Sequence, residues 1–204
     1  MQAVLQSYNL PDKFLIDGDF NGFHCLVWQP AKMVVVLGAS NKIETSVIIE
    51  NAEADGVEVM KRPSGGESVV LSPHMLAVSV AFETTELKDP HQYFTKINSA
   101  IIKSLETCGI QNLHSKGISD IAIGEKKILG SSIYRASGRV LYHAVLNVSE
   151  DISVFGRYLK HPAKEPDYRK NRRHDEFVTS LAAAGFNCDM DILKNALEVN
   201  LNLL

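Results

Sequence analysis

The sequence predicts one α+β domain, a mainly antiparallel or mixed sheet flanked by helices, and three observations carry that reading. Met33-Val34-Val35-Val36-Leu37-Gly38 is a short β-branched run ending in glycine, which fits a buried strand feeding a turn. Phe94, Ile97, Ile101 and Leu105 recur at three and four residues within 89–108 and Gly109 follows, which fits an amphipathic helix with a stop signal. Strand-like runs at 118–123, 127–134 and 139–148 are separated by Gly124-Glu125 and by Ala136-Ser137-Gly138, the spacing of hairpins in an antiparallel meander.

The remaining elements follow from the same signals. Residues 45–54 read as helix and 57–61 as strand, and 68–82 alternates in its second half, at Leu76, Val78, Val80 and Phe82, as another strand. Ser149-Glu150-Asp151 offers an N-cap and an acidic first turn to a helix that carries Ile152, Phe155 and Leu159 on one face. Residues 175–184 and 189–201 fit two more helices. Between 160 and 174, Lys160, Lys164, Arg169, Lys170, Arg172 and Arg173 stand against Glu165 and Asp167, with Pro162 and Pro166, which predicts a basic irregular loop. No repeat or linker divides residues 1–204, so they are read as one domain.

Composition excludes several classes. With 204 residues, 45% hydrophobic and 22% charged, the chain can bury one core and is neither disordered nor fibrous. No apolar run reaches the roughly 20 residues of a membrane span, and the first eight residues lack the basic and apolar regions of a signal peptide. Cys25, Cys108 and Cys188 are odd in number and far apart, which speaks against a disulfide framework or a zinc site and for a reducing, cytoplasmic setting. A formal charge of -3 gives no general attraction to nucleic acid or anionic lipid.

Two stretches concentrate chemistry. In Lys61-Arg62-Pro63-Ser64-Gly65-Gly66-Glu67-Ser68 the paired glycines let the backbone approach a ligand, and Lys61 and Arg62 supply charge for a carboxylate or phosphate. The same residues also make an ordinary turn between strands. In the second stretch, Ser119-Asp120-Ile121 is followed by Lys127-Ile128-Leu129-Gly130-Ser131, which places a lysine in an otherwise apolar strand. Lys127 either meets an anion there or guards a sheet edge, while alternation turns Lys126 the other way. His143 poses a similar choice between a satisfied core histidine and a ligand contact.

Together these residues resemble the lipoate-protein ligase family, which shares its catalytic fold with biotin protein ligases and octanoyltransferases. Arg62-Pro63-Ser64-Gly65-Gly66, Ser119-Asp120-Ile121, Lys127-Ile128-Leu129-Gly130-Ser131, His143 and Phe177-Val178-Thr179-Ser180-Leu181 follow the family's order, and Trp28-Gln29-Pro30 and Val35-Val36-Leu37-Gly38 resemble its earlier segment. The resemblance implies a biotin/lipoate protein ligase-like catalytic domain. Its activity is attachment of lipoate or octanoate, through an acyl-adenylate, to a lysine of a lipoyl carrier domain.

The resemblance makes Lys127 the catalytic residue, stabilising charge at the acyl carbonyl and phosphate. Arg62, Ser64, Gly65, Gly66, Ser119, Asp120, Gly130, Ser131 and His143 become substrate-binding, and Val36 and Val78 become candidates for an acyl tunnel. ATP is implied, with Mg2+ if the chain makes the adenylate, and no protein metal site. The implied partner is a lipoyl carrier domain, of a 2-oxoacid dehydrogenase E2 or of the glycine cleavage H protein. An acidic carrier could dock on Arg169, Arg172 and Arg173.

The sequence departs from the family pattern at Glu67, where a third glycine is usual, at Leu71 in place of histidine, and at Ser119 in place of asparagine. The family's N-terminal helix is not evident before Trp28, and no accessory C-terminal domain follows, so a separate accessory subunit is an expectation. Two alternatives are an ATP-independent octanoyl or lipoyl transferase, disfavoured because no cysteine occupies either nucleophile position of the relatives, and a non-catalytic binder of lipoyl-adenylate or lipoyl domains.

Overall fold

A computed structural model describes residues 5–85 and 89–204. Of the first eight residues, read above against a signal peptide, the first four lie outside the described residues. In chain order come β1 (Gln6–Ser7), α1 (Lys13–Asp17), β2 (Phe23–Trp28), β3 (Val34–Leu37), α2 (Ile43–Ser46), α3 (Ile49–Ala54) and β4 (Glu58–Lys61). The middle holds β5 (Val69–Leu71), β6 (Met75–Glu83), α4 (Pro90–Thr107), β7 (Leu113–Lys116), β8 (Asp120–Ile123), β9 (Lys126–Ala136) and β10 (Arg139–Asn147). Last come α5 (Ser153–Tyr158), α6 (His174–Phe177) and α7 (Met190–Leu201), with a short 3-10 turn at Asp167–Arg169.

Two sheets result, as the α+β reading expects. Six strands pair antiparallel in the order β2-β6-β10-β9-β8-β7, and four form a mixed sheet in the order β1-β4-β3-β5. Helices α4 and α7 cover one face of the large sheet: Phe94, Ile97, Ile101 and Leu105 pack with Leu193, Leu197 and Leu201 onto Val78, Val80, Leu129 and Leu146. Asp89 caps α4 by accepting from the His91 amide, and Asp189 caps α7 by accepting from Asp191 and Ile192. Within this core the Tyr142 hydroxyl donates to Asn98 Oδ1 at 2.7 Å, so neither buried polar group goes unpaired.

The small sheet lies against the other side. Val34, Val36, Met60 and Leu71 pack with Trp28, Ala77 and Val145 of the large sheet. Its opposite face, Val35, Leu37, Val59 and Val70, packs with Ala52, Phe155, Tyr158 and Leu159 around α3 and α5. The small sheet is therefore buried on both faces, which is why its strands read as continuous apolar runs rather than alternating ones.

The structure corrects four sequence expectations. The helix expected at 45–54 is two short helices, broken because Val47 pairs with Leu159 in a β-bridge and the Ile48 amide donates to the Tyr158 carbonyl at 2.9 Å. The strand expected at 68–82 is β5 and β6, which belong to different sheets, joined by a turn closed by Met75 N to Ser72 O at 3.1 Å. The run expected from 118 starts at Asp120, and Ile118 is exposed. The helix expected at 175–184 is the single turn α6, because Val178 leaves it to bridge Lys127 and the Thr179 amide donates to the Lys127 carbonyl at 2.8 Å. Strands β1, β2 and β7 and helix α1 were not foreseen.

Leu197 is fully buried between α4 and the sheet. Leu197→Ala is expected to destabilise the fold by about 2–5 kcal/mol through lost burial and an unfilled cavity, read as a lower midpoint in urea unfolding.

Candidate functional site

The side of the large sheet that faces the small sheet opens into a cavity of about 1200 Å³, closed over by the loops around residues 40–46, 62–69, 117–119 and 160–169. Its floor follows from strand register. One cross-strand row is Asp120, Gly130, Val145 and Ala77, and the next along the strands is Ser132, His143 and Ser79. Val36 and Leu71 of the small sheet add apolar wall. Val36 was expected there. Val78 lies along the cavity, but its side chain belongs to the core under α4 and α7, and Ala77 and Val145 take the place expected for it.

Lys127 reaches this floor through a β-bulge. Ile121 pairs with Leu129 but Ala122 pairs with Lys127, so Ile128 is an extra residue in β9. Strict alternation would put Lys127 on the side of Leu129, under the helices; the extra residue turns it to the side of Gly130. The Lys127 ammonium then lies 2.9 Å from Asp120 Oδ1. Its side chain crosses Gly130 so closely that a Cβ there would come within 2.5 Å of both Cε and Nζ, so any side chain at this position would displace the ammonium. Asp120 is buried and also accepts from the Tyr168 hydroxyl at 2.9 Å, and from Ser119 Oγ at 3.4 Å. Ser131 Oγ donates to the Ser119 carbonyl at 2.6 Å and fixes the turn ahead of Asp120.

The glycine loop lies over the same floor. Arg62 is buried and directs its guanidinium inward, to the carbonyls of Gly65 at 2.8 Å and Glu67 at 3.0 Å, so it shapes the loop as well as lining the cavity. Gly66 has φ +92°, a conformation that favours glycine, and sits against Ser132. A Cβ on Gly38 would overlap the Gly66 carbonyl, so the strand-end glycine and the loop require each other. Ser64 is fully buried under the loop, its carbonyl accepting from the Ala39 amide at 2.9 Å. Of the ten candidate residues, Lys127, Arg62, Gly66, Ser119, Asp120, Gly130, Ser131 and His143 line the cavity, and Ser64 and Gly65 support the loop. Glu67 also lines it and accepts from Asn41 Nδ2 at 3.4 Å.

Sequence reading missed the groups that hold His143. Asp12, just before α1, is buried and takes three donors: the Tyr8 hydroxyl at 2.6 Å, the Ser79 hydroxyl at 2.6 Å and His143 Nδ1 at 3.1 Å. Burial alone would push the Asp12 carboxyl up, but these donors and the facing His143 outweigh it and hold the group below its ordinary range.

The loop at 160–173 also differs from expectation. Arg169 is buried, 4.9 Å from the Phe177 ring centroid, and donates to the Arg172 carbonyl; Arg172 donates to the carbonyls of Arg169, Glu125 and Tyr168; Arg173 pairs with Asp175. The first two hold the loop in shape rather than standing free for an acidic partner. At the cavity wall, burial and then the charges of Arg169, His161 and Lys127 push the His174 imidazole down to about 4, against the opposite pull of Asp175. Charge around Lys127 is mixed: Asp120 pairs with the lysine and Glu165 with Arg169.

None of the three cysteines is placed for chemistry here. Cys25, Cys108 and Cys188 pack against the core under the helices; burial, with Glu198 beside it, pushes the Cys25 thiol up to about 12, and burial also raises Cys188. No helix among the described residues is long and apolar enough to cross a membrane.

A neutral His174 has a pH consequence. Its folded pKa lies below the ordinary 6.5, so its contribution to stability is complete above pH 6.5 and is lost as pH falls through about 4. Urea unfolding at pH 7.5 and 4.5 is expected to show a larger loss of stability in the wild type than in His174→Gln.

Known proteins are similar to this chain in sequence and in fold. The pattern of the lipoyl protein ligase A/B catalytic domain matches residues 16–201. Lipoate-protein ligase A of Psychrobacter cryohalolentis is 31% identical over 139 residues, which are 68% of this chain and 39% of that protein, so the chain spans less than half of that relative's length. An octanoyltransferase of Thermoanaerobacter is 26% identical over 144 residues, 68% of this chain and 61% of that protein. The bipartite lipoate protein ligase of Thermoplasma acidophilum, described with its E2 lipoyl domain, superposes with a TM-score of 0.79 at 21% identity, over 100% of this chain and 83% of that one. A lipoate-protein ligase A structure with bound ATP superposes at 0.78 and 22% identity, over 100% and 85%. With the family pattern covering nearly its whole length, the chain belongs to the lipoyl protein ligase A/B catalytic domain family.

Proposed function

We propose that the protein is a lipoate-protein ligase: it joins a lipoyl or octanoyl group to the lysine of a lipoyl carrier domain by way of an acyl-adenylate. The observation that carries this reading is Lys127, delivered by the bulge and held by Asp120 over Gly130, at the edge of a floor that turns apolar at Val145 and Ala77. A cationic group beside a stretch of apolar wall matches a reagent with an anionic head and an aliphatic tail. An acyl carboxylate would displace pyrophosphate from ATP, and the carrier amine would then displace AMP, forming an amide and losing a proton. Lys127 would stabilise the negative charge that builds on the carbonyl and phosphate oxygens in both steps.

The other residues take supporting roles. Asp120 and Tyr168 position Lys127; Arg62, Ser64, Gly65 and Gly66 form the loop over the acyl-adenylate; Ser119 and Ser131 shape the turn beside it; His143 bounds the tail. Aliphatic burial contributes about 0.8 kcal/mol per methylene along Val36, Leu71, Ala77 and Val145. Magnesium would enter with the triphosphate, whose oxygens supply much of its coordination. Cysteine-based transfer without ATP is the weaker reading, since the cysteines pack away from the cavity. The bipartite relative supports a separate accessory subunit as a partner, alongside the carrier domain.

Incubation of a lipoyl carrier domain with the protein, lipoate, ATP and magnesium is expected to add a lipoyl mass, and Lys127→Ala to lower the rate by about 100- to 1000-fold. Transfer from ready-made lipoyl-adenylate but not from lipoate and ATP would assign activation to a partner subunit. Failure of both, with carrier and adenylate intact, would overturn the reading.

A further inference from the structure

The cavity's far end is not apolar. Next to the Gly130, Val145 and Ala77 row stand Ser132, His143 and Ser79. One strand step of about 4.8 Å and one two-residue step of about 6.7 Å separate the Cα atoms of Gly130 and His143 by about 8 Å. A medium-length acyl chain whose carbonyl lies at the Lys127 ammonium therefore brings its distal carbons to His143.

The polarity of that contact is set by the protein. Asp12 is buried and faces Nδ1, while Tyr8 and Ser79 take its other acceptor positions. The guanidinium of Arg62, buried close by, offsets the carboxylate's charge. In the tautomer whose Nδ1 proton points at Asp12, Nε2 is a lone-pair acceptor. Nε2 is itself buried and has no hydrogen-bond partner among the described residues, in a side chain that lines the cavity. A buried acceptor without a donor is costly, and a ligand that supplies the donor removes the cost.

Resting on the acyl-attachment reading above, we propose that this cavity selects acyl chains whose distal carbons carry an S–H or O–H donor, such as a reduced dithiol or a terminal hydroxyl, with His143 Nε2 as the acceptor. A bare alkyl chain or a closed disulfide ring presents no such donor. Asp12, Tyr8 and Ser79 are positioning residues, acting through the imidazole.

Calorimetric titration of the wild-type protein at pH 7.5 with octanoate, 8-hydroxyoctanoate and 8-methoxyoctanoate tests this, together with lipoate in the absence of reductant and, separately, dihydrolipoate kept reduced by a phosphine. The hydroxy acid is expected to bind about tenfold tighter than octanoate, the methoxy acid no tighter than octanoate, and dihydrolipoate tighter than lipoate. In His143→Phe the hydroxy and alkyl affinities should converge. The wild-type series decides without any variant: equal binding of hydroxy and alkyl acids, or a methoxy acid as tight as the hydroxy acid, overturns the proposal and leaves the acyl-attachment reading standing. Absence of binding by all five acids overturns the proposal, and transfer from ready-made lipoyl-adenylate then decides the acyl-attachment reading.

Discussion

The site depends on one extra residue in a strand. Ile128 breaks the pairing of β9 with β8, and the break lets a lysine leave the helix-covered side of the sheet for the cavity side while pairing continues on either side of it in a register shifted by one residue. The ammonium it delivers could not rest in that position without a partner, and Asp120 supplies one from the adjacent strand. Gly130 completes the set by leaving room for the lysine to lie flat. Bulge, carboxylate and glycine form one device, and each loses its purpose without the others.

Around that device, charge is arranged in two zones. At the Lys127 end, Arg169 and Arg172 stack on Phe177 and bind loop carbonyls, so the cations brace the loop beside the paired lysine. At the other end, Asp12 and Arg62 are both buried and offset one another, and the Tyr8 and Ser79 hydroxyls are oriented onto the carboxylate. Between the zones the wall is aliphatic. The gradient from cationic to apolar to oriented-dipolar gives the cavity a direction, so a ligand has one way to lie in it.

Much of this was legible in the sequence, for identifiable reasons. A lysine in an apolar run and a Ser-Gly-Gly turn after a basic pair are local signals, and both lead to the cavity. The α4 periodicity and the central strands were readable because packing and propensity agree there. The bulge was not readable, since Ile128 and Leu129 are both apolar and either suits the core. Residues 175–184 misled because the acidic start and Ala182-Ala183-Ala184 favour helix, whereas pairing of the β-branched Val178 beside Lys127 decides the outcome. Asp12 was invisible because its partner Ser79 lies 67 residues away, and only the finished sheet brings them together.

The order in which the sheets become complete has a consequence for synthesis. Every strand of the small sheet has left the ribosome once Leu71 has emerged, yet the side chains that cover its outer face, Phe155, Tyr158 and Leu159, are among the later parts of the chain. The central strand β6 likewise waits for β10, more than fifty residues downstream, before its second edge is paired. For that interval the nascent protein carries a bare Val35, Leu37, Val59 and Val70 surface and an open strand edge, both of them sites of self-association. Long-range pairing of this kind also slows folding. The architecture that forms the cavity therefore leaves the half-made polypeptide with adhesive surfaces until β10 and α5 have been synthesised.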